Sequence, residues 1–347
     1  MKKRNVLFAI ILAILVFAMA ACGAAGKYQA VYEEGVNLYY GIGCTVDREA
    51  AKEKFEEAAA NGVSDANYYL AWLLVNDYDY ASAKEKFEEG EAAGSALCAY
   101  GLGDMYLEGF GVDWDFDKAR EYFEKAVSSG LVEANNGLGQ LALMEADAAS
   151  AKEYFEKAAE GSVPGEVAGA YAFLGSLYTS DAYGIDKDNE KAIEYYQKAN
   201  DVAQTWNGVY MDSIASCYKD LDDEASQKEW EQKALDKFKE LADAGIDYAM
   251  TSYAYYCEQG KGMDEPDYNS AWEWYNKASD AGYALATYRI GSIYLYTNTE
   301  ELEAIGIEHD YDKAVEYFEK SADAGYSYGM RTVGYQYKEG NGVEKDW

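Results

Sequence analysis

Apolar and small residues recur along this chain at helical spacing. Eight times an Ala stands four residues before an aromatic: Ala51/Phe55, Ala83/Phe87, Ala119/Phe123, Ala151/Phe155, Ala192/Tyr196, Ala234/Phe238, Ala271/Tyr275 and Ala314/Phe318. Positions i and i+4 lie on one face of a helix, so each pair predicts a helix, here termed B, with a narrow apolar stripe. In six of the eight copies a Gly follows seven residues after the aromatic (Gly62, Gly94, Gly130, Gly245, Gly282 and Gly325), where a left-handed C-terminal cap stops a helix. Between the B helices a second pattern sets a small residue after an apolar one, as in Leu70-Ala71-Trp72-Leu73-Leu74 or Leu102-Gly103-Asp104-Met105-Tyr106. Its small residues are Gly35, Ala71, Gly103, Gly139, Gly175, Ala215, Ala254, Gly291 and Gly334, which predicts nine helices of a type termed A against eight of type B. One such helix cannot bury its stripe alone; stacking copies side by side is how a repeat protein makes a core.

Spacing separates rigid from variable junctions. From the Ala of a B helix to the small residue of the next A helix the interval is 20 in six of eight cases, and 24 and 23 where Val163–Gly169 and Asn200–Trp206 add residues. From A to the following B it runs from 12 to 23, so the A-to-B loop is expected to take up the growth.

These residues carry a resemblance. The pair of patterns is similar to the tetratricopeptide repeat, whose spacing the 12-residue copies (Ala71/Ala83 and Gly139/Ala151) match directly. Copies with a Gly-rich loop, such as YLEGFGVDWDFDKA from Tyr106 to Ala119, resemble the Sel-one-like branch of that superfamily, and related loops begin at Gly41, Glu258 and Glu339. The resemblance covers roughly residues 28–347. It implies an all-α, right-handed α-solenoid of antiparallel helix pairs with a concave groove lined by A helices. A scaffold for a protein or peptide partner, with no enzymatic activity and no cofactor, is the expected function. The chain stops at Trp347 in a loop whose next element would be a B helix; either the sequence is a fragment or the last A helix caps the array.

The N-terminus departs from the repeat. Lys2, Lys3 and Arg4 precede an apolar run from Val6 to Ala18, too short for a comfortable membrane span, which predicts a secretory signal over residues 1–21. Met19-Ala20-Ala21-Cys22 resembles the bacterial lipobox, with Met where Leu is usual, and this makes Cys22 the expected lipidation site. Residues 22–27 then form a short tether and residues 28–347 the solenoid. The expected location is the cell envelope, anchored by lipid and facing away from the cytoplasm, with membrane contact through the anchor only.

Charge narrows the partner. With 30 Lys and Arg against 63 Asp and Glu, the formal charge of -33 repels phosphate backbones and excludes nucleic acid as an expected partner. An acidic surface keeps an exported protein soluble, and a partner selected by charge would be basic.

Most of the 35 Tyr are expected in the core, two and three positions after the small residue of each A helix. By the resemblance, positions three before, one after and four after that residue face the groove, and helical spacing independently puts them on one face. The candidate binding residues are Tyr32, Tyr68, Trp72, Tyr100, Asp104, Asn136, Gln140, Tyr255, Tyr288 and Tyr335. These aromatics suit an extended peptide or, as the alternative, a cell-surface glycan; a tight array that closes on its own Tyr residues remains open.

Catalytic and metal signals are weak, and neither kind of site is expected. His309 is the only histidine. Asp113, Asp115 and Asp117 with Glu124 resemble the start of a calcium loop, but Lys118 stands where Gly is needed, and Asp117 reads better as a helix N-cap. Ser216 and Lys219 share the spacing of a penicillin-recognising nucleophile, without the accompanying Lys-Thr-Gly or Ser-Asp-Asn. Cys217 and Cys257 fall on core positions, as buried thiols or as a bridge between neighbouring A helices.

Overall fold

The structure, a computed structural model, describes residues 26–42, 44–203, 205–296 and 305–339. Among them are seventeen α-helices, and none of the described residues is in a strand. The A helices are α1 (residues 26–40), α3 (Ala66–Asn76), α5 (Ala96–Glu108), α7 (Asn135–Met144), α9 (Pro164–Ser176), α11 (Asn207–Asp220), α13 (Asp247–Gln259), α15 (Ala284–Tyr296) and α17 (Ser327–Glu339). The B helices are α2 (Arg48–Ala60), α4 (Tyr80–Ala92), α6 (Phe116–Ser128), α8 (Ala148–Ala158), α10 (Asn189–Val202), α12 (Glu224–Asp243), α14 (Tyr268–Asp280) and α16 (Tyr311–Asp323). Consecutive helices from α2 to α8, and from α10 to α17, pack on one another, as a solenoid of antiparallel pairs requires. The signal segment and Cys22 lie outside the described residues.

Each B helix starts for the same reason. An Asp side chain accepts the backbone N–H three residues on: Asp47, Asp79, Asp115, Asp147, Asp188, Asp223, Asp267 and Asp310. This satisfies one of the donors that a helix N-terminus leaves unpaired. The cap of α6 is therefore Asp115, not Asp117, which lies in the first turn. The ends follow expectation: all six predicted cap glycines have positive φ, between 84° at Gly245 and 99° at Gly130.

The two sequence marks, Ala-x-x-x-aromatic on B and a small residue on A, prove to be halves of one contact. Phe123 is fully buried, and a Cβ added at Gly103 of α5 or Gly137 of α7 would meet its ring at 2.4 and 2.3 Å. Gly139 stands in the same relation to Phe155 at 2.5 Å, and Gly291 to Phe318 at 2.9 Å. The B-helix aromatic thus lies flat on A-helix backbone, and a side chain there would have to displace it.

In one copy the extra residues do not enter the loop. Between α11 and α12 the connection stays tight, while α12 reaches 20 residues where most B helices have 13. The added length is about two helical turns. Asp222 (φ 55°) sits in this turn as Tyr78 (φ 60°) and Ala146 (φ 59°) do in the turns after α3 and α7, so one connection type serves all three.

The chain divides into two compact units, the first ending at Ala170 and the second beginning at Tyr171. Both are cored by the Ala and aromatic positions above. Cys98, Cys217 and Cys257 are buried free thiols, so neighbouring A helices carry no bridge between Cys217 and Cys257; Cys44 is exposed.

Candidate functional site

In the first unit the predicted A-helix residues converge on one carboxylate. Pro164 opens α9, a position where its missing N–H costs nothing, and sets Glu166 in the first turn. The Tyr68 hydroxyl donates to Glu166 Oε1 at 3.0 Å and the Tyr100 hydroxyl to Glu166 Oε2 at 2.9 Å. Asn136 Nδ2 donates to the Glu166 carbonyl at 2.8 Å, while its Oδ1 is buried without a partner. The approach to α9 is pinned in turn by Glu133, whose buried carboxylate accepts the N–H groups of Ser162 and of Val163, the latter at 2.7 Å.

Burial decides the electrostatics here. The Asp104 carboxyl is held well above the usual carboxylate range, first by desolvation and then by the neighbouring Glu166 and Glu108 charges. Glu166 is raised by desolvation too, against the opposing hydrogen bonds from Tyr100, Tyr68 and Asn136. Tyr68 and Tyr100 are 4% and 5% exposed, and burial pushes both phenols far up, so they stay donors. Trp72 is half-buried against Phe87, its ring 5.8 Å away in T-shaped contact, and Tyr32 packs on Tyr69 at 5.9 Å. Gln140 is half-buried on α7. A separate cavity of about 600 Å³ between α2, α3 and α4 is lined by none of the predicted residues.

In the second unit the predicted Tyr255 and Tyr288 line one cleft of about 660 Å³. Trp206, Tyr326 and Tyr328 are among its other aromatics, and Thr251 and Ser252 also line it. Trp206 is 49% exposed and stacks on Tyr248, centroids 4.5 Å apart and planes within 9°. Tyr328 is 51% exposed and leans on Tyr326. The charges of the lining are balanced. Asp212 accepts from the Tyr256 hydroxyl and pairs with Lys261 at 2.5 Å, and Arg289 lies 5.1 Å over the Tyr255 ring and 3.9 Å from Glu258. The Thr251 hydroxyl is buried with no hydrogen-bond partner. Tyr335, on α17, is exposed.

Six of the ten predicted residues thus fall into two groups, and Tyr32, Trp72, Gln140 and Tyr335 belong to neither. Tyr68, Tyr100, Asp104 and Asn136 gather around Glu166, and Tyr255 and Tyr288 share the cleft. Glu166 and Trp206 escape the periodic reading because they stand in the two inserts at the otherwise constant B-to-A junction. Those inserts were themselves the signal. Among the described residues no group of three or more His, Cys, Asp or Glu is gathered as a metal site would need, and no helix is long and apolar enough to cross a membrane.

The Sel1 repeat pattern matches residues 29–63, 96–131, 132–163, 168–201, 247–283 and 284–326, well over half of the sequence. The chain belongs to the Sel1 repeat family. Sel1 repeats generally mediate protein–protein interaction, so a Sel1 chain of this build is an interaction scaffold in the broad sense. Of the stretches without a match, the two longest, 64–95 and 202–246, hold α4 and the long α12. Among solved structures, the chain is similar to the protective antigen c5321 of uropathogenic Escherichia coli, which displays an SLR fold (24% identity, 90% of this chain, 65% of the antigen, TM-score 0.45). It is similar also to a Sel1 repeat protein of Oxalobacter formigenes (20% identity, 74% of this chain, 96% of that one, TM-score 0.45). Human IFIT1, solved as a dimer with m7Gppp-AAAA, shares the fold (15% identity, 87% of this chain, 71% of that one, TM-score 0.50). Among curated proteins, none matches the Sel1 chain.

Proposed function

We propose that this Sel1 repeat chain is a lipid-anchored scaffold of the cell envelope, facing away from the cytoplasm, that binds a protein or peptide partner through A-helix aromatics and performs no chemistry of its own. The observation that carries the reading is the contrast between its two groups of predicted residues. Around Glu166 the phenols of Tyr68 and Tyr100 are already bonded within the chain, whereas Tyr255 and Tyr288 line a cleft whose Trp206 and Tyr328 remain half exposed. Exposed aromatics in a preformed cleft bury large areas at low conformational cost, which is why they anchor interfaces. Anchoring rests on the signal-like N-terminus and Cys22.

Two measurements on the full chain test the proposal. Metabolic labelling with a fatty acid should label the parent and leave Cys22→Ala unlabelled; an unlabelled parent refutes the anchor. Capture from detergent-solubilised envelope should retain a protein on the parent and lose it on a folded Tyr255→Ala/Tyr288→Ala variant. Retention on both would remove the cleft from the account.

A further inference from the structure

The chemistry of the cleft also points to the kind of partner, an inference that rests on the scaffold reading. We propose that the cleft of the second unit receives a neutral, proline-rich segment in the polyproline II conformation.

Charge is the first ground. In a chain of formal charge -33, both charged side chains of this lining have an opposite partner: Asp212 has Lys261 and Arg289 has Glu258. A basic peptide finds no free carboxylate here, and an anionic one meets the field of the whole chain. The ligand that fits is uncharged.

Hydrogen-bonding capacity is the second. The lining offers the hydroxyls of Ser252, Tyr255, Tyr288 and Tyr328, with the Thr251 hydroxyl buried and unpaired; those of Tyr248 and Tyr256 already donate to the Thr205 carbonyl and to Asp212, the one carboxylate, which also accepts from Lys261. Successive prolines have no N–H and present only carbonyl acceptors, so hydroxyl donors alone satisfy them.

Periodicity is the third. Trp206, Tyr255 and Tyr288 come from or border three successive A helices, α11, α13 and α15. Packed helices lie about 8–10 Å apart, and a polyproline II helix advances about 9 Å per turn of three residues. A ligand of that pitch advances by about one helix spacing per turn, and it arrives with its conformation already set.

The test is calorimetric titration of the full chain in detergent with decaproline, decalysine and a linear gluco-oligosaccharide, at low and at high salt. Decaproline should bind with an affinity that salt does not change, and Trp206→Ala and Tyr328→Ala should each weaken it about tenfold, or about 1.4 kcal/mol, with circular dichroism unaltered. Both residues are half exposed, so the variants should fold. Failure of decaproline to bind the parent, or equal binding by the variants, overturns the inference. Binding of the oligosaccharide or of decalysine instead overturns it too, and makes the cleft a glycan site or an acidic one. If decaproline fails while envelope protein is still captured through Tyr255 and Tyr288, only this inference falls and the scaffold reading stands.

Discussion

The Tyr100 hydroxyl reaches Glu166 at 2.9 Å across 66 residues of sequence, and Tyr68 reaches the other oxygen of the same carboxylate across 98. Two A helices and the start of a third are thereby tied by one side chain. Truncating a partner that leaves buried hydroxyls unpaired costs about 1–3 kcal/mol for each group. Glu166→Ala should therefore lower unfolding free energy by about 2–4 kcal/mol, and a double-mutant cycle of Glu166→Gln with Tyr100→Phe should give a coupling of about 0.5–3 kcal/mol. Urea denaturation measures both; additive effects would show that the bond contributes nothing.

Asp104 gives the first unit a pH dependence of definite sign. Its folded-state carboxyl titrates well above its unfolded value because burial disfavours the anion. The folded state then binds the proton more tightly, so this contribution is full below the ordinary carboxylate range and is lost as pH rises toward the raised value. Asp104→Asn should stabilise the chain at neutral pH and flatten its stability between mildly acidic and neutral pH. A variant whose pH profile runs parallel to the parent's would contradict the desolvation of the half-buried Asp104 carboxyl.

Gly103 and Phe123 test the contact on which the repeat is built. Gly103→Ala puts a methyl into the Phe123 ring, expected to cost about 1–3 kcal/mol, and Phe123→Ala should cost about 3–5 kcal/mol. Combined, they should cost less than their sum, because the smaller side chain makes room for the added methyl. Thermal denaturation of the three variants decides it, and strict additivity would mean the two do not touch.

The N-cap assignment separates two neighbouring carboxylates. Asp115→Ala should destabilise by about 1 kcal/mol through loss of its bond to the Lys118 N–H. Asp117→Ala, in the first turn, should lose only the weaker interaction with the helix dipole, about 0.3–1 kcal/mol. Equal losses in denaturation would return the cap to doubt.

How much of this was legible follows from what repeats and what does not. The helices were readable because Ala119, Phe123 and Gly130 recur at fixed intervals in other copies, and periodicity is a local property of the chain. The cap was missed by two residues because Asp113, Asp115 and Asp117 alternate, and only the backbone selects among them; comparing the eight copies would have shown an Asp four before the Ala in seven. The extension of α12 was expected as loop because interval length does not reveal whether added residues coil. Helical spacing placed Tyr68, Tyr100 and Asp104 on one face, but Glu166 and Trp206 occupy inserts that occur once each. Their contacts depend on how distant helices stack, which no repeat unit encodes.

The central claim is that the second unit's cleft is the partner surface and the Glu166 cluster an internal bond. Capture from solubilised envelope with three full-length forms tests it: the parent, Trp206→Ala/Tyr328→Ala in the cleft, and Tyr68→Phe/Tyr100→Phe at the cluster. The account predicts one protein retained by the parent and the cluster variant and lost by the cleft variant. Loss on the cluster variant with retention on the cleft variant, both folded by circular dichroism, would contradict it.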